Sequence, residues 1–251
     1  MKRYMQKISL AAISLILTCY VQVQAQLPNS PIFVAPPPPA DIGQPGKRSA
    51  AGSRGCGQDV NKPAPSQKLL TALLPIYPKS EQVFATTIAE RPDFWFYVPY
   101  SSSVAYGEFV LEDEAQNQTI YKTSLTAAPG IVNLRLPSTA APLQIGKQYR
   151  FYFNIYCQKN NQIVADVEGY VKRVPLNSNL KTQLEKATPS QQVTLYGANG
   201  IWYEALSVAS TLRRTQPQNN SWRALLQSVG LKDIANEPKV ECCTLTGSAK
   251  L

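Results

Sequence analysis

From residue 83 to residue 174, apolar residues recur at every second position in short runs separated by turn residues. That period belongs to half-buried strands and not to helices. The runs are Val83–Ile88, Asp93–Val98, Tyr106–Glu112, Thr119–Leu125, Ile131–Leu136, Tyr149–Cys157 and Ile163–Val174. Proline brackets the second, at Pro92 and Pro99, and Gln158 to Asn161 joins the last two. About seven short strands with evenly spaced turns predict an antiparallel β-sandwich. In the densest run, Tyr149, Phe151, Phe153, Ile155 and Cys157 share one face, which is assigned to the core, and Arg150, Tyr152, Asn154 and Tyr156 share the other.

The lead-in Leu143-x-Ile145-Gly146-Lys147-x-Tyr149 is similar to the tyrosine corner of immunoglobulin and fibronectin sandwiches, so Tyr149 is expected to bond back to the preceding loop. The fold class that follows is mainly β with α: an immunoglobulin/fibronectin-like sandwich, then a small helical subdomain. After Val174 the apolar period becomes helical. Helices are predicted over Asn179–Ala187, from Pro189 (capped by Thr188) to Tyr196, over Ile201–Arg214, and from a cap at Asn220 to Gly230. Ile201, Ala205, Val208 and Leu212 form the apolar stripe of the third, with Trp202 and Ala209 beside it. The pair around Gly200–Leu206 looks like one tetratricopeptide hairpin, which cannot bury its own face alone and should dock on the sandwich.

Flanking segments set the expected address. Lys2, Arg3 and Lys7 precede the apolar run Ile8–Leu17, and Val23-Gln24-Ala25 supplies small residues at its end. Residues 1–25 therefore read as a signal peptide cut between Ala25 and Gln26, the alternative being an uncleaved anchor, and the mature chain is expected in the periplasm or cell envelope, or outside the cell. Residues 26–66 are rich in Pro, Gly, Ala and Ser, including Pro36 to Pro39, and read as a disordered extended tether. The sandwich is assigned to 67–175, the helical subdomain to 176–241 and a tail to 242–251.

Four cysteines follow the signal segment, and in an oxidising compartment they allow three pairings. Cys56–Cys157 is the favoured bridge. Cys242 and Cys243 are left open between a vicinal bridge, an intermolecular one and free thiols.

The chain contains no histidine, which excludes Ser-His-Asp and Cys-His catalysis and imidazole-based zinc sites. No metal or cofactor site is assigned, and the four cysteines lack the CxxC pairs of a zinc site. The formal charge is +9, and loss of the signal's three cations leaves +6, scattered without a basic stripe, so no nucleic-acid partner is expected. Contact with a membrane is expected only through an uncleaved signal segment.

Carboxylate pairs are the remaining catalytic option. Asp166 and Glu168 share a strand face roughly 7 Å apart, a glycosidase-like spacing, although charge on an outer face is also what a half-buried strand shows. Glu112-Asp113-Glu114 is read as a solvated turn over a calcium site. The aromatics Trp95, Tyr97, Tyr152 and Tyr156 are the binding candidates, either exposed for a polysaccharide or covered by the helices.

The order of the pieces resembles a cyanobacterial exported family, domain of unknown function 928. The resemblance rests on Arg54-Gly55-Cys56, the Leu-Thr-Ala-Leu-Leu run ending at Pro75, Asp93–Pro99, Glu108–Asp113, Pro129–Val132, Tyr149–Cys157, Val167–Val171 and Gly200–Leu206. It implies an exported protein and carries no activity and no catalytic residues. The expectation is a non-enzymatic envelope protein acting through contacts with another envelope protein. The alternatives are a carbohydrate-binding module and, more remotely, a histidine-free glycosidase on Asp166 and Glu168.

Overall fold

The computed structural model describes residues 31–39, 43–50, 56, 68–77, 80–126 and 129–240. The signal segment, its cleavage residues Ala25 and Gln26, and Cys242 and Cys243 lie outside them.

Among the described residues, nine strands fall into two sheets. β1 (Thr71–Ala72), β4 (Asp93–Val98) and β7 (Gly130–Arg135) form a three-stranded sheet in the order β1-β4-β7. β2 (Ile76–Tyr77), β3 (Gln82–Thr87), β5 (Ala105–Asp113), β6 (Gln118–Thr126), β8 (Gln148–Cys157) and β9 (Ile163–Arg173) form a six-stranded one in the order β2-β3-β9-β8-β5-β6. The expected all-antiparallel pattern fails at one place, since β3 and β9 run parallel, Phe84 opposite Tyr170. A tight hairpin forces antiparallel pairing, but β3 and β9 are far apart in sequence and are not so constrained.

The core lies between the sheets. Phe94 and Phe96 of β4 meet Phe109 of β5 and Phe151 of β8, with ring centroids 4.9 to 6.2 Å apart. The alternation of β8 is as its sequence reads: Tyr149, Phe151, Phe153, Ile155 and Cys157 are buried, while Arg150, Tyr152, Asn154 and Tyr156 are half-buried. Tyr149 Oη accepts the Gln144 backbone N–H at 3.0 Å, so this tyrosine does bond back to the loop before it.

Four helices follow among the described residues: α1 (Ser178–Lys186), α2 (Pro189–Ala198), α3 (Trp202–Thr215) and α4 (Ser221–Ser228). The α2 start is a capping box, with Thr188 and Gln191 each bonding the other's backbone N–H. The Asn220 side chain does not cap α4; Asn219 Oδ1 accepts the Ser221 N–H at 2.9 Å instead. On α3 the buried surface is wider than the predicted stripe. Tyr203, Leu206 and Ser210 are buried as well and Val208 is only half-buried, because sheet residues lie on one side and α2 and α4 on the other. Trp202 Nε1 donates to the Leu73 carbonyl at 2.8 Å, and Tyr203 stands edge-on to Phe94, so α3 is part of the sandwich core and not a separate lobe.

The tether expectation is corrected for residues 31–39 and 43–50. Pro31, Phe33 and Ala50 are buried. Phe33 packs edge-on against Trp202 at 4.9 Å, and the Val34 N–H donates to the Gly197 carbonyl. A Cβ on Gly197 would sit 3.1 Å from the Ile32 carbonyl oxygen, so glycine permits this approach. Residues 47–49 then stitch the sheets together, with Lys47 bridging Glu168 of β9 and Ser49 bridging Thr71 of β1. The few apolar residues of this low-complexity stretch suffice because they enter sites already built by α2, α3 and the sheets. Cys56 and Cys157 form a disulfide across 101 residues of sequence.

Candidate functional site

The four candidate aromatics do not form one strip. Trp95 and Tyr97 lie on the outer face of the three-stranded sheet and are 5% and 9% exposed. Trp95 is covered by Trp222 of α4, ring centroids 5.8 Å apart, and by the Lys239 ammonium 4.9 Å above its ring. Tyr152 and Tyr156 lie on the outer face of the six-stranded sheet, half-buried, while among the described residues the helices meet the sheets chiefly through α3 against β3 and β4. Burial beneath helices therefore holds for Trp95 and fails for Tyr152 and Tyr156.

That outer face is built by cross-strand register. Tyr106 of β5 lies opposite Tyr156 of β8, Glu108 opposite Asn154, Val110 opposite Tyr152 and Glu112 opposite Arg150. The rings of Tyr106 and Tyr156 stack at 5.1 Å with a 10° interplanar angle. Tyr156 Oη donates to Glu108 Oε1 at 3.3 Å, and Glu108 in turn pairs with Lys122 of β6. The Arg150 guanidinium lies over the Tyr152 ring at 4.9 Å and binds both Glu114 (2.8 Å) and Glu168 (2.9 Å). Burial disfavours the charged form of Arg150, but the Glu114 hydrogen bond and the Glu168 charge outweigh it and raise its pKa. Asp166 is bound by Lys47 at 2.7 Å. Each carboxylate of the Asp166–Glu168 pair is thus already held by a cation. Tyr106 was not among the sequence candidates, since only the β5–β8 register places it beside Tyr156.

Asp113 in the 112–114 run is buried, pairs with Lys147 at 2.7 Å and accepts the Gln116 N–H, while Glu114 turns to Arg150. Among the described residues no group of three or more His, Cys, Asp or Glu is placed to hold a metal ion. No described helix is long and apolar enough to cross a membrane.

A concave feature lies where the outer face of the three-stranded sheet meets α2 and α3. It is a groove of about 550 Å³ lined by Asp93, Trp95, Asn133 and Arg135 from the sheet, Pro189 and Gln192 from α2, Ser207, Val208, Ser210 and Thr211 from α3, and Lys239. Arg135 holds Asp93 with two bonds, Nε to Oδ1 at 3.0 Å and Nη2 to Oδ2 at 3.3 Å, and Ser207 donates to Asp93 at 3.1 Å.

One charged group is buried away from both surfaces. Glu204 on the first turn of α3 accepts with Oε1 from Thr87 Oγ1 and from the backbone N–H groups of Ile88 and Ala89. Its Oε2 is buried without a partner among the described residues, and burial raises the carboxyl pKa above its usual value, against the pull of those hydrogen bonds.

A family model described as Domain of Unknown Function (DUF928) matches residues 49–239, which takes in both sheets, all four helices and the disulfide. No curated protein matches the chain.

Proposed function

This chain belongs to the DUF928 family, and on that premise we propose that it is an exported, non-enzymatic protein of the cell envelope that binds a protein partner through the outer face of its six-stranded sheet. One observation carries the reading. The face over β5, β6 and β8 stays half-exposed and presents the Tyr106–Tyr156 stack and the Arg150–Tyr152 pair, while the described helices pack elsewhere. Tyrosine and arginine are the residues that interface centres favour. The carboxylates Glu108, Glu112, Glu114, Asp166 and Glu168 on or beside it outnumber the cations Lys47, Lys122, Arg150 and Lys172 by one, in a chain whose formal charge is +9. The complementary partner is therefore a basic protein surface.

Export is supported by the signal-like pattern of Met1–Ala25 with its end at Ala25 and Gln26. The periplasm or envelope of a cyanobacterium is the compartment this reading assigns. The Tyr149 back-bond supports an immunoglobulin-like sandwich, and the packing of α2 on α3 supports a tetratricopeptide-like hairpin. A polysaccharide at the same face is the second reading, favoured by the stacked tyrosines alone. A glycosidase acting through Asp166 and Glu168 has less behind it, since Lys47 and Arg150 hold those carboxylates.

The test is site-specific photo-crosslinking in the native envelope, with the photoreactive residue at 152 or 156 and, as a control, at exposed Thr211 on α3. A discrete protein adduct from 152 or 156 but not from 211 supports the reading. Adducts from 211 alone would sink it. Glycan binding lost in Tyr156→Ala would replace it with the polysaccharide reading.

A further inference from the structure

We propose that Tyr106 and Tyr156 are a modification site, where oxidation by peroxide couples the two phenol rings into dityrosine and staples β5 to β8. The chemistry needs only these rings and the oxidant, and does not rest on the partner reading given above. β5 and β8 are antiparallel neighbours with Tyr106 directly opposite Tyr156. Side chains opposite each other across such a pair leave the same face with Cβ atoms about 4.5–5.5 Å apart. The rings follow, stacking at 5.1 Å between centroids with an interplanar angle of 10°.

Position and hydroxyl environment select this pair. Both rings are half-buried on the outer face of the sheet, so an oxidant reaches them from solvent. Tyr77, Tyr121 and Tyr203 instead meet Phe84, Phe109 and Phe94, and phenylalanine has no hydroxyl hydrogen to give up. Tyr156 Oη donates to Glu108 Oε1 at 3.3 Å, and Tyr106 Oη donates to Asn161 Oδ1 at 3.4 Å. Burial, and then the Glu108 charge, raise the Tyr156 pKa, so this ring stands as a neutral phenol whose proton must leave with the electron. Glu108 is a base beside that proton, whereas the amide oxygen facing Tyr106 is not. Tyr156 is therefore oxidised first, and its radical forms beside an intact phenol. Both hydroxyl bonds are long, so neither ring is locked against the small swing that brings two ortho carbons together. Cys157, next in the chain, is in the disulfide with Cys56 and offers no thiol to quench the radical.

The step balances with hydrogen peroxide as the oxidant, activated by a haem peroxidase. Each tyrosine loses an electron and its phenolic proton, Tyr156 by way of Glu108, to give a pair of phenoxyl radicals. Their ortho carbons join in a carbon–carbon bond. The hydrogens on those carbons then move as protons to the oxygens and restore the phenols. The chain loses a pair of hydrogen atoms in all, and each peroxide consumed is reduced to water.

The full mature chain, kept dilute, would be treated with hydrogen peroxide and a haem peroxidase, then read by dityrosine fluorescence and, after digestion, by mass spectrometry. Mixing isotope-labelled with unlabelled chains separates links within a chain from links between chains. The expected product is a crosslinked peptide pair joining residues 106 and 156 of the same chain, lighter by a pair of hydrogens. It should exceed the product formed between chains by about tenfold or more, because the stack holds the rings together. Tyr106→Phe and Tyr156→Phe should each lower the fluorescence by about tenfold without shifting the thermal midpoint, whereas Tyr121→Phe should leave it unchanged. Glu108→Gln, which keeps an acceptor oxygen but not the base, should slow product formation. Absence of the 106–156 link, a predominance of links between chains, or equal fluorescence in both Phe variants each overturn the proposal. An unchanged rate in Glu108→Gln overturns Glu108 as the proton acceptor.

Discussion

Glu204 Oε1 lies 2.6 Å from Thr87 Oγ1, joining residues 117 apart in the chain. The same oxygen takes the N–H groups of Ile88 and Ala89, so one carboxylate fixes the turn leaving β3 to the start of α3. It is the junction on which the helical part is seated.

Burial raises the Glu204 pKa above 4.5. Between the ordinary and the raised value the folded chain holds a proton that the unfolded chain has released. This contribution to stability is full below the ordinary value and declines as pH rises through the raised one. Glu204→Gln, which mimics the protonated acid, should remove that decline and cost less than about 1 kcal/mol at acidic pH. Glu204→Ala, which strands the Thr87 hydroxyl and two N–H groups, should cost about 2–4 kcal/mol. Urea midpoints measured from acidic to neutral pH check both, and an unchanged pH slope in the Gln variant would count against the assignment.

Phe33 tests whether the proline-rich segment belongs to the fold. It is buried against Trp202. Phe33→Ala should cost about 3 kcal/mol and open residues 31–39 to protease. A free tether would show neither change, so an unaltered thermal midpoint and digestion pattern would refute the docking.

The Cys56–Cys157 bridge closes a long loop, 101 residues in sequence separation. Replacing both cysteines with serine should destabilise the chain by up to about 4–5 kcal/mol, chiefly by freeing the unfolded ensemble. Chemical denaturation of the double variant beside the oxidised parent measures this, and equal midpoints would show that the bridge contributes nothing.

Local pattern made much of the architecture legible. The two-residue period marked β3 through β9 to within a residue or two, because a strand with one face in the core writes its burial into alternate positions. Thr188-Pro189 marked the start of α2, since a cap and a first-turn proline act through neighbours in sequence. The two shortest strands, β1 and β2, carry too few residues to show a period at all.

What concerns the candidate sites was less legible, because they are made between elements. In DFWFYV every side chain is buried, so alternation on β4 says nothing of which face is covered by helices and which by the other sheet. Tyr106 becomes a partner of Tyr156 only through strand register, and Arg135 and Lys239 meet in one groove only when β7, α3 and the segment after α4 are folded together. The docking of Phe33 depends on a site made by residues far along the chain.

The sequence by itself determined a β-rich fold with a helical end, the absence of histidine, the core face of β8 and the bond of Tyr149 back to the preceding loop, all of which rest on residue type and short-range spacing. Only the tertiary structure decided the parallel β3–β9 pair, the burial of Trp95 and Tyr97, the open face around Tyr152 and Tyr156, and the seating of residues 31–39 and 43–50. Those outcomes are set by contacts between segments remote in sequence, whose energies no local pattern encodes.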